Sequence, residues 1–170
     1  MLYASRQLLT SGFRGTLAIA LLAGIAHASI DKDAREAFEA AQNHIAGRDL
    51  RSAKVELLNA VAADPEWIEA QLKLAEVALE LFDPVTAREH IEKAIKLDAP
   101  ETAYSHLLGH ALWLSGETDK AEVALTQRTV ARANMSYAYR ILGRVYMDQG
   151  DTIAAGRAFE SGLEIAPKDD

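Results

Sequence analysis

Small and large apolar residues recur along the chain at a spacing of 34 residues. In each period an alanine is followed four residues later by a large apolar side chain. These pairs are Ala53 and Leu57, Ala87 and Ile91, Ala121 and Leu125, and Ala155 and Phe159. Two further positions recur before this alanine. Thirteen residues before it the chain has an apolar residue, and twelve residues before it a small one. These pairs are Ala40 and Ala41, Leu74 and Ala75, Leu108 and Gly109, and Leu142 and Gly143. Four copies of one spacing indicate tandem structural units.

Each period predicts two helices joined by a tight turn. Gly116 and Gly150 suit such turns because glycine adopts positive φ at little cost, and Asp83-Pro84 is expected to form the corresponding turn in the second unit. Prolines at Pro65 and Pro167 are expected to stop the second helix of their units. The predicted helices cover 32–46, 50–63, 66–81, 84–97, 101–115, 117–132, 135–149 and 151–166, and the units cover 34–67, 68–101, 102–135 and 136–169.

The last unit carries the fullest set of recurring residues. They are Tyr139, Leu142, Gly143, Tyr146, Ala155, Phe159 and Pro167. With the period of 34 residues, this pattern resembles the tetratricopeptide repeat, a helix–turn–helix unit. The resemblance implies an all-α fold, a right-handed α-solenoid of four such units and eight helices. Small residues such as Gly143 would let the two helices of a unit approach closely, and stacking of units would bury apolar faces that one unit cannot bury alone.

The third unit departs most from this pattern. It has Ser105 where a large residue is usual, Arg128 where a small one is usual, and Ala133 in place of a closing proline. We therefore expect the junction between the third and fourth units to be the most irregular.

The first 28 residues resemble a secretory signal peptide and are separated from the repeat domain at 29–170. Arg6 and Arg14 precede an uncharged apolar run over 16–26, and Ala26-His27-Ala28 offers a small-x-small cleavage site. The run is short for a transmembrane helix, which needs about 20 apolar residues. Cleavage would give an exported, periplasmic protein. An uncleaved anchor in the inner membrane and a buried amphipathic helix are the alternatives.

Composition excludes several kinds of chemistry. The chain has no cysteine, so disulfides, thiolate metal sites and thiol catalysis are excluded. Its net charge of −7 gives it no basic field for nucleic acid. The sequence also carries no phosphate-binding glycine loop or nucleophile motif, and we expect neither a cofactor nor enzymatic activity.

In the tetratricopeptide fold, the first helix of each unit lines a concave groove with its positions 2, 5, 9 and 12. The resemblance therefore implies a groove that binds a protein or peptide. Its candidate residues are Phe38, Gln42, Glu69, Leu72, Glu76, His106, His110, Trp113, Tyr137, Arg140 and Arg144. Two histidines, two arginines and two aromatic residues lie in the third and fourth units. This half of the groove suits an extended peptide that carries an acidic group.

A metal site is the enzymatic alternative. His106 and His110 stand four residues apart and share one helix face, a spacing that can hold a metal ion. The segment HLLGH lacks the glutamate of the HExxH motif, no third ligand is evident, and Arg140 and Arg144 would repel a cation. A metal-binding protein or hydrolase is the weaker hypothesis.

Residues 47–100 and the following LLGHALWLSGETDKAE segment are similar to envelope repeat proteins of exosortase (PEP-CTERM) and exopolysaccharide systems. The resemblance implies a scaffold in the export or assembly of a surface polymer. An alternative is that these units are the N-terminal part of a larger envelope protein and position a further domain. Ile153, Leu163 and Ile165 are expected to present apolar surface on the last helix, where self-association could occur.

Overall fold

The computed structural model describes residues 32–126 and 130–165, and within them it contains eight α-helices. Helix α1 covers 32–46. The others are α2 (Leu50–Ala63), α3 (Ile68–Glu80), α4 (Pro84–Lys96), α5 (Glu101–Leu114), α6 (Thr118–Thr126), α7 (Met135–Gln149) and α8 (Thr152–Ile165). No strand occurs in these residues. None of these helices has the length and hydrophobicity required to cross a bilayer.

Consecutive helices pack as antiparallel pairs, and the pairs stack in chain order. The first helices of neighbouring units also contact one another: α3 packs against α5, and α5 packs against α7. The buried core consists of three clusters that follow one another in chain order, the first with Leu57 and Leu74, the second with Ile91 and Leu107, and the third with Ile141. This arrangement confirms the predicted all-α solenoid.

Glycines permit the close approach of two helix pairs, as the sequence predicts. A Cβ atom at Gly109 would lie 2.5 Å from Cγ of Leu125, and one at Gly143 would collide with the ring of Phe159. The recurring alanine Ala121, on the second helix of unit three, is completely buried. The small residues therefore set the distance between the two helices of units three and four.

The turn inside every unit adopts the left-handed conformation, whether or not it contains glycine. Gly116 and Gly150 have φ of 78° and 82°, whereas Arg48 and Phe82 have φ of 60° and 57°. These four residues stand 34 positions apart. In the second unit Asp83 caps α4 by accepting a hydrogen bond from the Thr86 backbone N–H. The expected Asp83-Pro84 turn is therefore preceded by a strained residue that the sequence analysis did not identify.

The junction of units three and four is irregular, as expected. The sixth helix was predicted over 117–132, but α6 is described over Thr118–Thr126, Val130 and Ala131 are not helical, and a short 3₁₀ helix covers Arg132–Asn134 before α7. The Arg128 and Pro167 positions and the leader at 1–28 lie outside the described residues. The signal peptide and its cleavage therefore stay predictions.

Candidate functional site

The predicted groove residues of units three and four form one cluster on the first-helix side of the stack. We call this cluster the α5–α7 patch. It comprises His106, His110, Trp113, Tyr137, Arg140 and Arg144. Residues at i, i+3 or i+4, and i+7 lie on one helix face, which explains why each helix contributes its three side chains together.

Hydrogen bonds and ring contacts join the two helices within the patch. The hydroxyl of Tyr137 is hydrogen-bonded to Nδ1 of His110, and the rings of His106 and Tyr137 meet edge to face with centroids 5.6 Å apart. His110 stacks on Trp113, also at 5.6 Å. Asn134 Nδ2 lies 3.3 Å from Nδ1 of His106. Four rings therefore form a rigid base.

Two arginines lie over this aromatic base. The Arg140 guanidinium carbon lies 4.9 Å from the centroid of the Tyr137 ring, and that of Arg144 lies 5.5 Å from the Trp113 ring. Both distances are within the range of cation–π attraction. Both arginines are exposed, so each presents its N–H donors to solvent while its position is held by an aromatic face.

Two acidic residues complete the surroundings of the patch. Glu80 of α3 pairs with Arg140 at 3.7 Å, and Asp148 accepts a 2.6 Å hydrogen bond from the indole nitrogen of Trp113. Sequence reasoning missed both because it considered positions 2, 5, 9 and 12 only. Glu80 and Asp148 both stand at position 13 of their units. An acidic residue at the same position in two units is the sequence feature that could have identified them.

Burial keeps both histidines of the patch neutral. It lowers the pKa of His106 to about 4. The pKa of His110 is also about 4, because burial and the nearby Arg140 and Arg144 all disfavour the imidazolium. Burial, reinforced by Glu80, raises the pKa of the Tyr137 phenol. His106 and His110 are only 8% and 4% exposed, so they form the buried side of the patch and the arginines form its exposed side.

A metal ion has little support at this position. Each histidine already uses Nδ1 in a hydrogen bond, and Nε2 of His110 is buried without a partner among the described residues. Within the same residues, no group of three or more histidine or carboxylate side chains converges on a point.

The other predicted groove residues are not gathered into the patch. Phe38 is 5% exposed and packs against Trp67 in the core of the first unit, so it is not available at the groove surface. Gln42 and Glu69 are exposed, Leu72 packs against the core of units two and three, and Glu76 pairs with Lys73 at 2.6 Å. The structure therefore concentrates the candidate chemistry in α5 and α7.

The predicted apolar surface on α8 is present. Ile153 and Leu163 are 68% and 77% exposed, and Ile165 is 40% exposed. Self-association through these side chains stays a prediction.

Two segments of the chain match models of the tetratricopeptide repeat, residues 103–127 and 134–169. A search of curated proteins finds no match. Among solved structures, PilF from Pseudomonas aeruginosa is similar with a TM-score of 0.60, 23% identity and 81% coverage of this chain. This chain spans 63% of the length of that PilF structure.

Two structures of MamA are also similar. One has a TM-score of 0.59 and 27% identity, and the match covers 79% of this chain and 73% of the MamA chain. The other has a TM-score of 0.55 and 29% identity, with coverages of 75% and 74%. Such repeats typically bind protein partners and act as interaction scaffolds. The chain therefore contains two segments that match the tetratricopeptide repeat, and they lie within an α-solenoid of stacked helix pairs.

Proposed function

We propose that this protein is a non-catalytic scaffold that binds an acidic segment of a partner protein at the α5–α7 patch. The observation that carries the proposal is the placement of two exposed guanidinium groups over partly buried aromatic rings. Side chains held in this way lose little freedom when a ligand binds, because their conformations are already restricted.

The expected ligand group is a carboxylate. Among the described residues Arg144 has no carboxylate within ion-pair distance, and Arg140 has only the 3.7 Å pair with Glu80. A carboxylate can accept two N–H donors of one guanidinium, and such charge-assisted pairs are shorter and stronger than neutral hydrogen bonds. Trp113 beside Arg144 adds apolar surface for the carbon atoms of the same segment.

The test compares affinity capture from native envelopes by three forms of the protein. The forms are wild type, the Arg140→Ala/Arg144→Ala variant, and the Arg51→Ala/Arg157→Ala control. The control removes the same charge from exposed positions on α2 and α8. We expect one partner to bind the wild type and the control but to be lost from the patch variant.

Direct binding then identifies the chemistry. A peptide from the captured partner with its acidic residues changed to amides should bind at least ten times more weakly, and binding of the natural peptide should weaken as salt is added. Equal capture by all three forms would contradict the proposal. Thermal unfolding of each form distinguishes lost contacts from lost fold.

We further propose that the protein is exported and acts in the assembly or export of a surface polymer. The basic start, the apolar run and the Ala26-His27-Ala28 site support export. Mass analysis of the protein recovered from the periplasm tests it, because cleavage predicts a chain that begins at Ser29. A polymer role predicts that deletion of the gene reduces surface polysaccharide, and that the Arg140→Ala/Arg144→Ala variant does not restore it.

A further inference from the structure

A largely apolar cavity of about 480 Å³ lies between α5 and α6 and opens to solvent. Leu108 and Leu112 of α5 and Val123 and Ala124 of α6 form its walls, and Ser105 also lines it. Small-ligand cavities in proteins typically measure about 300–1,000 Å³, so this one is large enough to receive a chemical group.

The cavity lies where the third unit has small residues at two positions, of which the first is filled in both neighbouring units and the second only in the second unit. In the second unit these positions hold Gln71 and His90, which are buried and joined by a 2.6 Å hydrogen bond. In the fourth unit the first of them holds Tyr139, which packs against the core there, and the second holds Ala158. In the third unit the two positions hold Ser105 and Ala124, and neither side chain fills the space.

Ser105, one of the residues that line the cavity, also carries an unsatisfied polar atom. Ser105 is 3% exposed, and its hydroxyl oxygen is buried without a hydrogen-bond partner in the described part of the chain. A buried hydroxyl without a partner is destabilising, and native proteins rarely leave one unsatisfied. A ligand that donates to or accepts from Ser105 would remove this cost.

The cavity is on the opposite side of α5 from the α5–α7 patch. At 100° per residue, Ser105, Leu108 and Leu112 point away from His106, His110 and Trp113. A ligand in the cavity and a ligand on the patch would therefore bind without overlap, and the two sites can be tested separately.

We propose that the cavity between α5 and α6 is a docking site for an aromatic side chain of a partner protein, with tyrosine as the best fit. The chain itself supplies the precedent, because Tyr139 occupies the equivalent position in the fourth unit. The inserted ring would pack on Leu108 and Leu112, and its hydroxyl would hydrogen-bond to Ser105. Charged side chains at the lining, Glu101, Asp119 and Lys120, offer polar contacts to the peptide on either side of the ring.

Probes of defined chemistry test the cavity first. The probe is p-cresol, which is the tyrosine side chain alone, and toluene is the matched probe without the hydroxyl. We expect saturable binding of p-cresol in methyl NMR spectra, with shifts at Leu108, Leu112 and Val123. Ser105→Ala should weaken p-cresol binding about five- to tenfold and leave toluene binding unchanged, because only the hydrogen bond is lost.

Filling variants provide the converse test. Ser105→Tyr introduces the residue of the fourth unit, and Ala124→Leu fills the same space from α6. Each should abolish p-cresol binding and raise the melting temperature by a few degrees, because the cavity is removed. If one of the two variants fails to fold, the other still tests the cavity. If p-cresol fails to bind the wild type, or binds both folded filling variants as well as wild type, the proposal is wrong.

A cross-linking experiment tests whether the occupant is a protein. A photoreactive phenylalanine analogue replaces Val123, which is 55% exposed at the cavity wall. We expect a protein adduct in cells that maps to a segment with an aromatic residue, and loss of that adduct when Ser105→Tyr is added. A small aromatic molecule that copurifies with wild type and is absent from Ser105→Tyr would instead overturn the assignment of a protein partner.

Discussion

The Tyr137 hydroxyl on α7 is hydrogen-bonded to Nδ1 of His110 on α5, which ties units three and four together on their first-helix side. The second ring nitrogen of His110 is buried without a partner in the described residues. Protonation of this ring would place a positive charge in a dry position beside Arg140 and Arg144, and this is why its pKa falls to about 4.

The first prediction concerns stability and pH. In the unfolded chain a histidine has a pKa near 6.5, whereas His106 and His110 have pKa values of about 4 in the fold. Between these values the unfolded chain binds protons that the folded chain does not, so stability falls as pH decreases from about 6.5 to 4. The loss should amount to roughly 1–3 kcal/mol per histidine. Urea unfolding at pH 7.5, 5.5 and 4.5 measures it.

The corresponding variant is His106→Gln/His110→Gln. Glutamine cannot take up a proton in this range, so the variant should lose less free energy of unfolding than wild type between pH 7.5 and 4.5. Identical pH dependence in the two proteins would show that these histidines are not held neutral by burial.

A pair of glycines provides a test of helix packing. Gly143 and Gly156 both lie inside helices, but a Cβ atom would collide with Phe159 at the first and meet nothing within 4 Å at the second. Gly143→Ala should lower the free energy of unfolding by about 1–3 kcal/mol through overpacking. Gly156→Ala should raise it by roughly 0.5–1 kcal/mol, because alanine favours the helix. Urea unfolding compares the two, and a gain of stability in both would contradict the packing.

The strained turn of the second unit should improve when glycine is introduced. Phe82 has φ of 57° and is 70% exposed, so its side chain contributes little packing while its backbone is unfavourable. Phe82→Gly should raise stability by about 0.5–1 kcal/mol. Gly116→Ala, the reverse change at the equivalent position, should lower stability by a similar amount. Thermal and urea unfolding of both proteins would show opposite shifts.

An ion pair recurs between units and is missing at the irregular junction. Lys54 Nζ lies 2.7 Å from Asp83, and Arg88 Nη1 lies 2.6 Å from Glu117, each pair being separated by 29 residues. The next pair in this register would be Glu122 and Asp151, which are both acidic. Glu122 instead accepts hydrogen bonds from Tyr146 and Gln149, both at 3.2 Å.

Glu122→Arg should therefore restore the pair with Asp151. We expect a gain of about 0.3–1 kcal/mol, typical of a partly exposed ion pair. Glu122→Gln is the matched control, since it removes the charge and keeps an acceptor for Tyr146. If Glu122→Arg is no more stable than Glu122→Gln, or if its gain persists in an Asp151→Asn background, the pair does not form.

The repeat and its helices can be read from the order of the residues. The 34-residue spacing, the small residues at closely packed positions and the turn residues are local or periodic signals, and local signals can be read without coordinates. They predicted α2 and α7 with their observed ends and located the irregular junction. Arg48 and Phe82 escaped notice because their left-handed backbone is imposed by the shape of the unit, against the preference of the residue.

The properties of the sites, by contrast, follow from how the helices pack. The depth of a side chain depends on which helices cover it, and for this reason Phe38 lies in the core while Arg140 and Arg144 stay exposed. The neutral state of His106 and His110 follows from the same burial. The cavity at Ser105 exists because two small residues on different helices face one space, and the distance between two helices is a property of the packed fold that no single stretch of sequence encodes.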